Sequence, residues 1–248
     1  MELAILTALG VGGATVVGAC FGFCFGKFSE RVGSAVLGFS SGIMLAAALI
    51  GLIIPALGDG DLPSILISSV GITAGALILC LVEKLLPTRR EETDNADCQN
   101  GCKKKRALLL VLAIAIHNLP EGIAAGVGFG LENTSDALLI AGAIALQNLP
   151  EGMVIISPML SAGISRRRTF FLALLTGLTE VVGAIIGYFA ATVSVTLMPF
   201  LLAFAGGTMI FVVCDDMIPE ASLDSRGHEQ SVALILGFVA MIIFGALV

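Results

Sequence analysis

The chain has 248 residues, 57% of them apolar and 13% charged, with a mean hydropathy of +1.02. That composition excludes an ordinary water-soluble domain and makes a lipid bilayer the expected solvent and partner. The formal charge of -6 matters less than where each sign sits along the chain, and no nucleic-acid partner is expected.

Eight apolar segments are long enough to cross a membrane at about 20 residues each: residues 3–26, 33–57, 64–86, 107–130, 137–159, 169–192, 199–219 and 230–248. Their apolar runs are continuous rather than alternating, so a strand barrel is excluded and each segment must satisfy its own backbone as a helix. The expected fold class is an all-α integral membrane protein of eight transmembrane helices, one membrane domain over residues 1–248. With no Trp and one Tyr the usual aromatic belt is nearly missing, and span ends are read from charges and turn residues.

Span 1 opens as MELAILTALG, with Glu2 and no Lys or Arg before the apolar run and Lys27 and Arg31 after it. It reads as an uncleaved first span rather than a signal peptide. All 13 Lys and Arg fall in the links after spans 1, 3, 5 and 7, among them Lys84, Lys103, Arg166 and Arg226. The opposite side offers only Glu2, Asp59, Asp61, Glu132 and Asp136. This asymmetry puts the basic links in the cytoplasm and both termini outside. Glycines repeat at four residues in Gly18, Gly22 and Gly26 and again in Gly122, Gly126 and Gly130, which lets helices approach closely either within the bundle or at the interface of a homodimer.

The longest link, PTRREETDNADCQNGCKKKR at 87–106, is dense in charge and is expected to be a flexible cytoplasmic loop. Its Cys98 and Cys102, beside Asp94 and Asp97, are candidates for weak metal capture or sensing, the other reading being reduced, solvated thiols. Two cysteines alone do not complete a tetrahedral site. Cys20, Cys24, Cys80 and Cys214 fall inside spans and read as small apolar fillers.

The chemistry lies in spans 4 and 5, where IAIHNLPEG at 114–122 is repeated as IALQNLPEG at 144–152. On a helix His117 and Glu121 share a face, with Asn118 on its edge. Pro120 has no N–H to give and presses on the carbonyl of Ile116, so a kink and a freed backbone oxygen are expected there. Gln147, Asn148, Pro150 and Glu151 repeat the pattern with the carbonyl of Leu146. Spans 4 and 5 run in opposite directions, so the two motifs are related by an approximate two-fold axis in the membrane plane.

A carboxylate at bilayer centre costs about 2.5 to 3.5 kcal/mol even on the lenient insertion scale, and no Lys or Arg stands in any span to compensate it. Protons or a cation must do so. Imidazole, carboxylate, carboxamide and carbonyl groups form a mixed nitrogen and oxygen set suited to a divalent ion such as Zn²⁺. Glu180 is a third mid-span carboxylate, read either as a ligand or as a hydrogen-bonded structural residue. Asp215, Asp216 and Glu220, beside Pro219 in span 7, are candidates for a cytoplasmic exit path or for plain solvation at a helix end. Met44 in span 2 offers a thioether or simply packs.

HNLPEG at 117–122 and QNLPEG at 147–152, in eight spans with a polar loop after the third, resemble the Zrt/Irt-like protein (ZIP) family of divalent metal transporters, and most closely its bacterial-type branch. The resemblance implies an inverted repeat of spans 1–3 and 6–8 around spans 4 and 5, which carry the metal in a domain that moves against a scaffold. By motif position it implies a primary site at His117, Glu121, Gln147 and Glu151, with Met44 from span 2. A second site would fall on Asn118, Asn148 and Glu180, bridged by Glu121 and Glu151. Some relatives have His in place of Gln147 and Asp in place of Asn148, which implies broader selectivity and a weaker second ion here. The implied function is zinc uptake into the cytoplasm across a bacterial plasma (inner) membrane by alternating access, with Cd, Fe, Mn, Co and Ni as further cargo. Two rivals are a membrane-embedded metal-dependent hydrolase and a proton-coupled carrier of a small solute. The chain has no HExxH and no Ser and His nucleophile pair, and mid-span aromatic or cationic groups for an organic solute are not evident, so an enzyme is not expected.

Overall fold

The computed structural model describes residues 2–26, 29–85, 99–129, 134–193, 197–223 and 227–247. Among these residues the regular structure is helical, without strands. The elements are α1 (Glu2–Phe25), α2 (Glu30–Ala46), a π-helical stretch (Ala47–Ile53), α3 (Ile54–Leu57), α4 (Leu62–Leu85), α5 (Gln99–Gly128) and α6 (Thr134–Ser161). They continue as α7 (Arg166–Val193), α8 (Met198–Val212), a second π-helical stretch (Val213–Met217), α9 (Ile218–Leu223) and α10 (Glu229–Leu247).

Eight stretches of these helices are long and apolar enough to cross a membrane: Glu2–Cys24, Arg31–Leu57, Leu62–Leu85, Ala107–Gly128, Ala137–Ser161, Arg166–Val193, Met198–Ser222 and Glu229–Leu247. Each predicted span is matched within a few residues. Span 2 is α2, its π stretch and α3 together, and span 7 is α8, its π stretch and α9.

The predicted 87–106 loop is shorter than expected, because α5 begins at Gln99. Lys103, Lys104, Lys105 and Arg106 are good helix formers and carry the helix out past the membrane. Residues 87–98 lie outside the described residues. Both motif helices stay helical through their prolines, Pro120 in α5 and Pro150 in α6. At the opposite end of the bundle Asp61 accepts the Ser64 backbone N–H at 3.1 Å, which starts α4. The Ser64 hydrogen bonds hold the Asp61 carboxyl below the usual carboxylate range.

Glycine decides which helices meet. A Cβ on Gly12 would strike the carbonyl of Gly177, and one on Gly177 that of Gly12. The two positions are 165 residues apart, the separation of Thr15 and Glu180, and the same separation recurs. Gly18 rests on the Leu149 carbonyl and Gly183 on that of Leu119; Gly22 lies against Met153 and Gly187 against Ile123; Gly42 meets Leu234 and Gly207 meets Ile72. The described residues between 11 and 42 thus correspond to those between 176 and 207, and the span 4 motif to the span 5 motif. The shift of five spans reverses direction across the membrane, so the relation is an inverted repeat.

Helix pairing obeys the same operation. The most extensive contacts are α1 with α6, α5 with α7, α2 with α10 and α4 with α8. Exchanging spans 1 with 6, 2 with 7, 3 with 8 and 4 with 5 maps the first pair onto the second and the third onto the fourth. Each half also places a π-helical stretch ahead of a proline, Pro55 in span 2 and Pro219 in span 7. The interior is built mainly from spans 2, 4, 5 and 7, while spans 3 and 8 turn most of their surface outward. Cys20, Cys24 and Cys214 are exposed on the outer surface of the bundle instead of filling its core.

Gly42→Ala should lower the melting temperature of the detergent-solubilised protein, since its new Cβ meets the Leu234 backbone and overpacking of this kind costs about 1–3 kcal/mol. Gly10→Ala, whose Cβ would find nothing within 4 Å, should leave melting unchanged. Equal effects of the two variants would refute the glycine-contact basis of the pairing.

Candidate functional site

The duplicated motif puts His117, Asn118 and Glu121 on α5 and Gln147, Asn148 and Glu151 on α6, and all six side chains are buried, as is Glu180 on α7. The buried polar residues among those described include no Lys or Arg. Glu121 and Glu151 lie close enough to repel each other, and Glu121 also feels Glu180. Three carboxylates therefore share the middle of the bundle with no fixed cation.

Their hydrogen bonding is uneven. Glu180 accepts from Thr15 Oγ1 at 2.6 Å, from Asn118 Nδ2 at 2.5 Å and from Asn148 Nδ2 at 2.5 Å. Glu121 Oε2, Gln147 Oε1 and Nε2, Asn118 Oδ1 and Asn148 Oδ1 are buried without a partner among the described residues. An unmade buried hydrogen bond costs about 1–3 kcal/mol. Four of the five atoms are oxygens, carried on the two motif helices, and a cation would satisfy them together.

One turn from Glu121, toward the basic end of α5, His117 meets two further carboxylates. Its Nε2 lies 3.3 Å from Glu83 Oε1 and 3.1 Å from Asp216 Oδ2. One ligand atom from each of the three residues lies within 4.8 Å of the others, a spacing that suits one nitrogen and two oxygen ligands of a divalent ion. The π stretch Val213–Met217 has wider turns than an α-helix and so shifts the face that follows. It leaves Asp215 exposed and turns Asp216 inward. Glu220, on α9, is half-buried one turn further along.

Met44 is buried in the last turn of α2, directly ahead of the first π stretch. Nearby, the Ser40 hydroxyl donates to the Gln147 carbonyl at 3.1 Å, which ties span 2 to the span 5 motif. Cys98 lies outside the described residues. Cys102 falls in the first turn of α5, and its side chain lies outside the described residues.

The sequence reading missed Glu83 and Thr15. Glu83 stands beside Lys84 near the end of span 3 and reads there as an interfacial pair. Only the packing of α4 near α5 and α8 reveals that it faces His117. Thr15 carries no signal in an apolar helix, except that it stands where the repeat places Glu180 in the other half.

Comparison with known proteins agrees with this architecture. A family model described as ZIP Zinc transporter matches residues 89–245. The zinc transporter GufA of Myxococcus xanthus is 35% identical over 98% of each chain. The zinc transporter ZupT of Chlorobium chlorochromatii (strain CaD3) is 34% identical over 97% of this chain and 95% of its own, and the zinc transporter ZIP11 of Bos taurus is 32% identical over 92% of each. These matches, over a helical membrane bundle with buried carboxylates, define the class as a divalent-metal transporter. The chain belongs to the ZIP zinc transporter family.

Proposed function

We propose that this chain takes up Zn²⁺, with other divalent cations as lesser cargo, from outside the cell into the cytoplasm of a bacterium by alternating access. The observation that carries this reading is the set of unpartnered oxygens on α5 and α6 beside mutually repelling carboxylates, with no Lys or Arg buried near them. The cargo is held between the motifs by His117, Glu121, Gln147 and Glu151, with Met44 closing the site from span 2. Nitrogen, carboxylate and thioether together suit a borderline ion better than Mg²⁺ or Ca²⁺. Asn118, Asn148 and Glu180 adjoin this set.

Release runs toward the end of the bundle that carries the basic links. His117 leaves the carboxylates of the motif for Glu83 and Asp216, and Glu220 and Asp215 continue the path. The basic links support a cytoplasmic assignment of that end by the positive-inside rule, with both termini outside the plasma membrane.

Glu121→Ala and Glu151→Ala should each abolish zinc uptake by proteoliposomes, since either leaves the ion short of its charged ligand. Uptake at the unaltered rate in both would refute the site. Asp216→Asn and Glu83→Gln should lower the maximal uptake rate by about tenfold while changing the apparent affinity less, the scale expected for groups beside a metal ligand. Zinc binding by the purified protein should weaken below about pH 6, because protons compete for the imidazole and the carboxylates. Affinity that stays flat between about pH 5 and 7.5 would count against those ligands.

A further inference from the structure

Away from the duplicated motifs, one cleft of the bundle sets positive charge beside aromatic surface. α1 and α7 cross where Gly12 meets the Gly177 carbonyl and Gly177 that of Gly12. Phe23 follows Gly12 and Arg166 precedes Gly177 by about three turns, so on these oppositely directed helices both stand about 16 Å from the crossing, on the same side of it. A cleft of about 450 Å³ opens there, lined by Phe23 of α1 and by Arg166, Arg167, Phe170 and Phe171 of α7. Its volume lies among those of small-ligand sites, about 300–1,000 Å³.

Membrane topology asks for positive charge in this link, but it does not ask for arginines on the helix itself. Arg166, Arg167 and Arg168 form the opening turn of α7, which contains no acidic residue, although the partial positive charge of a helix N-terminus disfavours cations. All three are exposed, and among the described residues no carboxylate pairs with Arg166 or Arg167. The inverted repeat supplies a comparison at the other end of the same helix pair. There the counterparts of Phe23, Arg167, Phe170 and Phe171 are Tyr188, Glu2, Ile5 and Leu6, with Glu2 in the first turn of α1. The packing is repeated while the sign of the charge is reversed.

An occupant of the cleft must therefore carry negative charge and apolar surface together. Guanidinium forks bind phosphate oxygens in pairs. Phe170 and Phe171 stand one turn deeper than Arg166 and Arg167 on the same faces of α7, and Phe171 is exposed on the outer surface of the bundle, where acyl chains run beside a membrane span. A phospholipid matches this order, with phosphate at the level of the arginines and hydrocarbon at the level of the phenylalanines; basic clefts between membrane helices take lipid headgroups in this way.

We propose that this cleft binds an anionic phospholipid, Arg166 and Arg167 holding its phosphate and Phe23, Phe170 and Phe171 its glycerol and upper acyl chains. The orientation proposed above puts that lipid in the cytoplasmic leaflet; the site itself does not depend on zinc transport.

The test uses the full chain, purified in detergent and freed of lipid, then titrated with dioleoylphosphatidylglycerol, with dioleoylphosphatidylcholine or with inorganic phosphate. Adducts are counted by native mass spectrometry and melting temperature is measured alongside. Phosphatidylglycerol should bind about tenfold more tightly than phosphatidylcholine and raise the melting temperature, and inorganic phosphate should do neither. Arg166→Gln and Arg167→Gln should each weaken phosphatidylglycerol binding about tenfold, the loss of one charge-assisted hydrogen bond. Arg168→Gln removes the same charge from the same turn, but Arg168 does not line the cleft, and this variant should bind as the unaltered protein does. Phe171→Ala should weaken binding severalfold with no change of charge. All four positions are exposed, so the lipid-free variants should melt as the unaltered protein does. Equal binding of the two lipids, or an Arg168→Gln loss as large as those of Arg166→Gln and Arg167→Gln, would overturn the proposal in favour of diffuse surface charge. Inorganic phosphate binding as tightly as phosphatidylglycerol would overturn the lipid as occupant. No arm contains zinc, so this site and the carrier function can fail separately.

Discussion

Everything in this bundle depends on carboxylates being placed in apolar surroundings without a fixed positive partner. Glu121 on α5, Glu151 on α6 and Glu180 on α7 are buried, and the buried polar residues among those described include no Lys or Arg. Charge burial of this kind is stable only if compensated. Glu180 accepts hydrogen bonds from one hydroxyl and two amides, while Glu121 Oε2 and the Gln147 side chain have no partner among the described residues. A fixed Lys would have stabilised the fold more simply and would have excluded a dication.

The helix contacts divide the bundle in two. Spans 1, 4, 5 and 6 are joined by glycine contacts that bring backbones together, while span 2 pairs with span 8 and span 3 with span 7. Contacts between the two sets are less extensive. Polar links across the divide are few among the described residues: His117 to Asp216 and Glu83 on one side, and Ser40 to the Gln147 carbonyl on the other. A close-packed unit that carries the motifs and meets its surroundings through few directional bonds can move as a body. The π-helical stretches lie in spans 2 and 7, the helices that face the motifs across this divide.

The spans, the paired motifs and the absence of a compensating base are legible in the sequence, because they depend on composition and on local spacing. The HNLPEG and QNLPEG repeats single out His117, Glu121, Gln147 and Glu151 as one candidate set before any packing is known. The unequal hydrogen bonding of the carboxylates is not legible. Glu180 and Glu121 look equivalent as mid-span acids, and only Thr15, contributed by a helix 165 residues away, distinguishes them. The register of Asp216 is equally hidden, since an α-helix turns adjacent aspartates about 100° apart without saying which of the two faces His117. The π stretch that sets their register leaves no pattern of its own in the sequence. Where α5 begins was misjudged because charge density in 99–106 reads as loop, although Lys and Arg favour a helix once an apolar continuation anchors it.

The repeat makes the departures from symmetry informative. His117 corresponds to Gln147. Asp216 lies between the registers set by Gly42 with Gly207 and by Pro55 with Pro219, so its counterpart is Gly51 or Leu52; by the register of Gly75 and Gly237, which rest on the Phe204 and Phe39 carbonyls, Glu83 corresponds to Gly245. The three groups clustered at the basic end of the bundle, His117, Glu83 and Asp216, therefore have uncharged counterparts at the other end. An asymmetric site cannot drive net transport, since a ligand shifts an equilibrium only by its difference in affinity between states. It can set where the ion dwells. The cluster of His117, Glu83 and Asp216 one turn from Glu121 is found, among the described residues, on one side only. The repeat thus supplies a symmetric frame, and the side chains that break the symmetry gather at the end that carries the basic links.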